Sequence, residues 1–303
     1  MAFLYLLEKI RTPILDEFML LITRFGEETA FLVAALIIFW CVDKYKGYYI
    51  LSVGFIGTIA NQFMKLIFRI PRPFVLDKGI ALEPAIEAAT GYSFPSGHTQ
   101  SAVGTFGGIA YTAKNRWVKL AAIVIAVLVP FSRMYVGVHT PLDVGAAAIM
   151  AVLLIFTLKP VVFDKAKRNV LWLLAGMAVL AVSFWVYVTF YPFPTDIDQH
   201  NLASGVENAY TLLGALAGLV VMYIVDEKWL NFSTKAVWWA QIVKVILGLL
   251  LVLVVKSGLK SPINLLFGES LGRSVRYFLI VIVAGILWPL SFKLFGKLGN
   301  KEK

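Results

Sequence analysis

The sequence has few of the residues on which soluble and secreted proteins depend. It contains one cysteine, Cys41, in 303 residues, which permits neither an intramolecular disulfide nor a cysteine cluster for a metal. Charged residues make up 15% and hydrophobic residues 59%, so polar side chains are too few to cover a soluble protein of this size. The composition therefore excludes a soluble enzyme, a disordered regulator and a disulfide-stapled secreted domain. It predicts an all-α, polytopic helical membrane protein.

The charge that the chain does carry is mostly positive. The formal net charge is +10, from 28 Lys and Arg against 18 Asp and Glu. In a soluble protein this excess would favour nucleic acid as a partner. In so apolar a chain it favours lipid headgroups and the positive-inside bias of membrane proteins. We therefore expect membrane lipids, and no nucleic acid, as partners.

Long apolar runs account for most of the sequence. A helix needs about 20 residues to cross roughly 30 Å of hydrocarbon. Nine runs approach this length: 27–42, 47–68, 98–113, 117–136, 141–158, 170–191, 205–225, 236–255 and 275–295. Residues 1–26 mix apolar and charged residues at helical spacing, which predicts an amphipathic interfacial helix, with a tenth, weakly hydrophobic span as the alternative. We expect about nine transmembrane helices plus this N-terminal helix.

The basic residues predict an orientation. Four cations that lie in mid-span or in the motifs below are set aside: Lys65, Arg72, Arg133 and Lys244. Of the others, 15 fall on one side of the predicted helices and 9 on the other, so the first side is predicted to be cytoplasmic. Three loops, 70–97, 132–140 and 192–204, would then face outward from the cell membrane.

The basic connection at 159–169 is the predicted boundary between two parts of the chain. It divides an interfacial helix (1–26) and a membrane core (27–160) from a C-terminal transmembrane extension (161–303). The motifs described next all lie in the core.

The first motif ends the second predicted span. Lys65 and Arg69 are four residues apart and share a helix face. Pro71 and Pro73 should stop the helix and hold Arg72 on a stiff extended segment. Fixed cations without matching carboxylates indicate an anionic ligand, and the planar fork of arginine fits phosphate oxygens. The alternative is a set of snorkelling cations at lipid headgroups.

The second motif, Pro95-Ser96-Gly97-His98, opens the third predicted span. The start of a helix leaves backbone N–H groups free to bind an anion, Ser96 can add a hydroxyl, and Gly97 permits close approach. His98 could donate a proton to a leaving oxygen there. The alternative is an ordinary serine cap with an interfacial histidine.

The third motif runs from Ser132 to Asp143. Thr140, Pro141 and Asp143 match a capping box with proline in the first turn. His139 directly precedes this cap, so Asp143 is placed to orient its ring and leave the other nitrogen free as a nucleophile. Arg133 could brace the anion. The alternative is that Asp143 only caps the helix.

The three motifs together are more specific than any one of them. The chain has only three histidines, and two lie in these motifs. Because no carboxylate cluster with metal-ligand spacing accompanies them, a metal-independent reaction without a cofactor is favoured.

The pattern Lys65-x6-Arg72-Pro73, Pro95-Ser96-Gly97-His98 and Ser132-Arg133-x5-His139-x3-Asp143 resembles the tripartite signature of the type 2 phosphatidic acid phosphatase superfamily. The resemblance spans about residues 27–160 and implies a helical membrane core that hydrolyses a lipid phosphate or diphosphate through a phosphohistidine. It implies that His139 is the nucleophile, that Asp143 orients it and that His98 is the acid and then the base. The residues that it assigns to the phosphoryl oxygens are Lys65, Arg72, Ser96, Gly97 and Arg133.

The C-terminal extension departs from the usual six-helix core of that family and leaves the substrate open. Asp196, Asp198 and His200 lie on the predicted outer side, where a solvated loop is favoured over a headgroup or cation site. Lys244 lies inside an apolar run, which marks it as functional by default. A lipid transporter that uses the same anion site, and a phosphotransferase, are the alternative functions.

Overall fold

The computed structural model describes residues 1–163 and 169–298, and all regular structure within these ranges is helical. The all-α prediction is confirmed. The α-helices of this part of the chain, in order, are α1 (Ala2–Glu8), α2 (Pro13–Thr23), α3 (Glu28–Cys41), α4 (Lys44–Phe68), α5 (Pro73–Leu76), α6 (Glu83–Glu87), α7 (Gly97–Ala102), α8 (Gly108–Thr112), α9 (Arg116–Tyr135), α10 (Pro141–Phe163), α11 (Val170–Phe190), α12 (Gln199–Val225), α13 (Trp238–Gly258), α14 (Lys260–Ile282), α15 (Trp288–Leu290) and α16 (Phe292–Lys297).

Seven stretches of the described residues are long and apolar enough to cross a membrane. They are Lys44–Leu76, Arg116–Tyr135, Pro141–Phe163, Val170–Phe190, Gln199–Leu230, Trp238–Gly258 and Lys260–Lys297. The predicted number of nine is not confirmed. The runs at 27–42 and 98–113 are helical, but α3 has only 14 residues. At 1.5 Å per residue it spans about 21 Å, short of roughly 30 Å of hydrocarbon.

The N-terminal region forms two helices where one was predicted. The side chain of Thr12 accepts a hydrogen bond from the N–H of Leu15, and Pro13 occupies the first position of α2. A capping threonine followed by proline starts a new helix, which explains the break after α1. The interfacial position of this region stays a prediction. The division into 1–26, 27–160 and 161–303 also stays a prediction. Residues 164–168 of the predicted boundary connection lie outside the described residues.

The first of two compact units contains residues 1–34, 49–163 and 192–205. In it α7 continues through a π-helical turn (Val103–Gly107) into α8, and this short broken helix packs against both α9 and α10. A Cβ atom at Gly107 or Gly108 would lie 2.9 Å from Ile155 or 2.7 Å from Ile50. Small residues therefore allow close helix packing, and they fix the helix that begins beside His98.

The second unit contains residues 35–48, 169–191 and 206–298 of the described chain. Lys244 is fully buried there. Its Nζ donates to the carbonyl oxygens of Trp40 at 2.8 Å and Thr234 at 3.3 Å, and it lies 4.4 Å from the centre of the Phe292 ring. These contacts satisfy the intramembrane charge within the helix packing, so Lys244 has a structural explanation.

Candidate active site

The first motif lies at the end of α4, and the predicted helix stop before Arg72 is present. Arg69 does not share a helix face with Lys65 as predicted, because it lies beyond the helix with a left-handed backbone (φ 49°). The helix ends at Phe68, and Arg72 has an extended backbone (φ −72°, ψ 155°) directly before α5. Its guanidinium is buried, and it donates to the carbonyl oxygens of Thr90 at 2.5 Å and Gly91 at 2.9 Å. Lys65 is also buried, and its Nζ donates to the carbonyl oxygen of Tyr92. Both cations therefore hold the segment that carries the second motif, and they do not snorkel to solvent.

The second motif forms a serine cap at the start of α7, which was the alternative interpretation of its sequence. Ser96 Oγ accepts a hydrogen bond from the N–H of Thr99 at 3.3 Å, and Ser96 is fully buried. The N–H of Ser96 donates to the carbonyl oxygen of Asp143 at 3.1 Å. The Ser96 groups are thus engaged within the protein, while Gly97 and His98 form the first turn of α7. This arrangement joins the second motif to the third.

The third motif forms as predicted, because Asp143 both caps α10 and faces His139. Its Oδ2 accepts from the N–H of Thr140 at 2.7 Å, while the N–H of Asp143 donates to Thr140 Oγ1 at 3.3 Å. The same Oδ2 lies 3.6 Å from Nδ1 of His139. Asp143 can therefore cap the helix and orient the His139 ring at the same time.

His139 lies between a cation and a carboxylate and is 1% exposed. Nη1 of Arg72 lies 3.1 Å from Nε2 of the ring, on the opposite side from Asp143. Burial and the charges of Arg72, Arg133 and Lys65 lower the pKa of His139 well below its usual range. The ring is accordingly neutral at pH 7, with Nδ1 toward the carboxylate and the Nε2 lone pair toward the cation.

Ser93 is a site residue that the sequence reasoning missed. Its hydroxyl donates to Asp143 Oδ2 at 2.7 Å and lies 3.4 Å from His139 Nδ1, and the residue is 1% exposed. It therefore helps to hold the carboxylate against the ring. The only signal was its place three residues before Ser96, which predicts no contact with a residue 46 positions away.

Arg133 is buried at the end of α9 and has spare donors. Its Nη1 donates to Thr23 Oγ1 of α2 at 2.6 Å, a contact that the sequence did not predict. Its Nε and Nη2 atoms have no hydrogen-bond partner among the described residues. Because buried guanidinium donors without acceptors are costly, these two nitrogens indicate a position that suits an anion.

His98 lies near the same charges. Burial lowers the pKa of His98, and Arg133, His139, Arg72 and Lys65 lower it further. His98 and Arg133 both line a groove of about 580 Å³ beside α2. The two histidines of the motifs thus belong to one site.

The acidic loop of the extension lies beside the first motif. Asp196, Asp198 and His200 line a cleft of about 560 Å³ together with Arg69 and Arg72. Among the described residues, no group of three or more His, Cys, Asp or Glu side chains could hold a metal ion. The predicted solvated character of the loop agrees with the exposure of these three side chains.

The fold and this geometry define a class of protein, a helical membrane protein whose buried cations surround a paired imidazole and carboxylate. The profile described as "PAP2 superfamily" matches residues 45–167, and "PAP2 superfamily phosphatase, transmembrane extension" matches residues 210–301. The chain is 30% identical over 145 residues to undecaprenyl-diphosphatase BcrC of Bacillus subtilis, covering 47% of this chain and 72% of that protein. It is 32% identical over 173 residues to phosphatidylglycerophosphatase B of Bacillus subtilis, covering 52% of this chain and 80% of that protein.

Among solved structures, the chain is similar to a transmembrane PAP2-type phosphatidylglycerolphosphate phosphatase from Bacillus subtilis. The sequence identity is 29% and the TM-score 0.45, with 55% of this chain and 85% of that chain covered. The chain belongs to the PAP2 superfamily, and it is an integral membrane phosphatase.

Proposed function

We propose that this protein hydrolyses a lipid phosphate or diphosphate, such as a polyprenyl diphosphate or a phospholipid phosphate, through a phosphohistidine on His139. The observation that carries the proposal is the alignment of Arg72, His139 and Asp143, with 3.1 Å on the Nε2 side of the ring and 3.6 Å on the Nδ1 side. Two relatives named for undecaprenyl diphosphate and phosphatidylglycerophosphate support this substrate class.

In the first step, Nε2 of His139 attacks phosphorus and the bond from phosphorus to the leaving oxygen breaks. The negative charge of the bound phosphate raises the pKa of His98, so the ring is protonated in the complex. It gives this proton to the leaving oxygen, which departs as the lipid alcohol or lipid phosphate. The carboxylate of Asp143 stabilises the positive charge that the phosphorylated ring acquires. In the second step, water attacks phosphorus, His98 takes a proton from it, the P–N bond breaks and inorganic phosphate leaves.

The cations stabilise the charge that develops on the phosphoryl oxygens. Arg133 offers two unpartnered nitrogens, and Arg72 can turn its Nη1 from His139 to the substrate once phosphate is bound. Lys65 adds charge nearby, and Ser96 and Gly97 hold the turn that faces the phosphate. Because buried cations supply the positive charge, we propose that no metal is required.

The test is phosphate release by the protein purified in detergent, with excess EDTA, from undecaprenyl diphosphate, phosphatidate, phosphatidylglycerophosphate and sphingosine phosphate. We expect metal-independent, vanadate-sensitive release from at least one lipid, and loss of release in His139→Ala. Turnover of His139→Ala at the wild-type rate would reject the mechanism. The comparisons lend no support to a lipid transporter or a phosphotransferase.

We further propose that the active site faces outward from the cell membrane. The distribution of basic residues supports this orientation, and the loops at 70–97, 132–140 and 192–204 contribute to one compact unit. In a Cys41→Ser background, Asp198→Cys should react with a membrane-impermeant maleimide added to intact cells, whereas Lys114→Cys should not. The reverse labelling would contradict the orientation.

A further inference from the structure

The groove that contains His98 has a second wall of apolar side chains. It runs between α2 and α6, and its apolar lining comes from Leu20, Leu21, Pro84, Ala85 and Ala88. The rest of its lining is polar or charged: Glu17, Thr23, Arg24, Glu27, His98 and Arg133. The groove thus has charged side chains beside an apolar wall. That combination fits a ligand with a phosphate at one end and a hydrocarbon chain at the other.

Two polar side chains of the groove belong to the proposed phosphate site. Arg133, which is 1% exposed, has unpartnered Nε and Nη2 atoms within the described structure. His98 lines the same groove. Both side chains are therefore available to a ligand that enters along α2.

The chemistry of the reaction assigns this groove to the leaving group. If His98 protonates the leaving oxygen, the atoms attached to that oxygen must lie on the side of the site where His98 lies. We infer that the groove between α2 and α6 holds the lipid chain of the leaving group, and that Leu20 and Leu21 determine which chains are accepted. This inference rests on the proposed function, from which it takes the role of His98.

The other cleft of this unit has a different character. Charged groups of both signs line it, as they do the α2 groove, but neither His98 nor Arg133 is among them. A leaving group in this cleft would therefore lie away from the proposed acid. The α2 groove, which His98 lines, is the better position for the chain attached to the leaving oxygen.

The wall on α2 precedes both family-model matches. These cover residues 45–167 and 210–301, whereas Leu20 and Leu21 lie before the first of them.

A pair of matched variants on α2 tests the inference. Leu21 lines the groove and is 56% exposed, while Ile14 is 83% exposed and lies outside it. The measurement is the ratio of kcat/KM for dioleoyl phosphatidate to that for dihexanoyl phosphatidate. We expect Leu21→Trp to lower this ratio about tenfold, because the indole displaces roughly two methylene groups of the longer chain. Ile14→Trp should leave it at the wild-type value.

An unchanged ratio in an active Leu21→Trp protein, or an equal fall in Ile14→Trp, would overturn the inference while the proposed function stands. A wild type without activity on any lipid phosphate would instead overturn the proposed function.

Photolabelling gives a readout that needs no turnover. A phosphatidate with a diazirine near the glycerol end of one acyl chain is irradiated with the His139→Ala protein. Label in residues 13–23 and 83–88 is the expected result. Label confined to residues 196–201, in the other cleft, would overturn the assignment.

Discussion

Nη1 of Arg72 lies 3.1 Å from Nε2 of His139, so a guanidinium is held against the nitrogen proposed as the nucleophile. This contact keeps a proton off Nε2 and places a phosphate-binding cation where the phosphoryl group would arrive. It depends on carbonyl oxygens of residues 90 and 91, which fix the rest of the guanidinium.

The first prediction concerns Arg72→Lys. An ammonium retains the charge but cannot bind two carbonyl oxygens and a phosphate in one plane. We expect kcat to fall about 100-fold or more, the usual size for loss of one transition-state donor. Phosphate release under saturating substrate is the measurement. Arg116→Lys, at an exposed position, is the control, and an equal effect in both variants would show that the geometry of Arg72 is irrelevant.

The second prediction concerns Ser93→Ala. Removing the hydroxyl takes one donor from Asp143 and loosens its hold on the ring, so kcat should fall about tenfold with little change in KM. The acidic limb of the rate profile should also move, because the Ser93 hydroxyl lies 3.4 Å from Nδ1 of His139. Ser101→Ala serves as the control, since its buried hydroxyl has no partner in the described structure. Wild-type kcat and pH profile in Ser93→Ala would refute a positioning role.

The sequence predicted those parts of the site that depend on residues close together in the chain. The cap at Thr140 and Asp143 and the helix stop before Arg72 depend on neighbouring residues, so local patterns predicted both. The contact between Arg133 and Thr23 joins residues 110 positions apart, and no local pattern contains it.

The helices were predicted more reliably than their role as membrane spans. Hydropathy predicts an apolar helix well but not whether it spans the membrane. The run at 98–113 shows this, because its glycines make it a short, tightly packed helix with a π-helical turn. The spans of the extension were predicted because each is a long apolar run, even where a π-helical turn interrupts it, as at Val283–Leu287.

The third prediction concerns the loop before His139. Gly137 has φ of 81°, and a Cβ there would collide with the backbone at Ile80. Gly137→Ala should lower the free energy of unfolding by roughly 1–3 kcal/mol or more, measured by thermal unfolding in detergent, and should reduce activity. Gly145→Ala is the matched control, because nothing lies within 4 Å of its added Cβ. Equal melting temperatures for the two variants would contradict this account of the loop.

The fourth prediction concerns pH. In the unfolded chain an imidazole binds a proton below about pH 6.5, while the lowered pKa of His139 keeps the folded ring neutral to lower pH. The neutral ring therefore adds its full stability above about pH 6.5 and loses it as the pH falls below that value. Thermal unfolding from pH 8 to pH 5 should show a smaller acid-side loss in His139→Gln than in the wild type. A steeper loss in His139→Gln would show that the charged ring is favoured in the folded state.

The central claim, that His139 carries phosphorus during turnover, is tested most directly by trapping the intermediate. The wild-type protein is mixed with a ³²P-labelled lipid phosphate, quenched in alkali within milliseconds and digested. We predict an alkali-stable, acid-labile label on the peptide that contains His139, and no label in His139→Ala. Rapid wild-type turnover without such a label, or a label that persists in His139→Ala, would contradict the account.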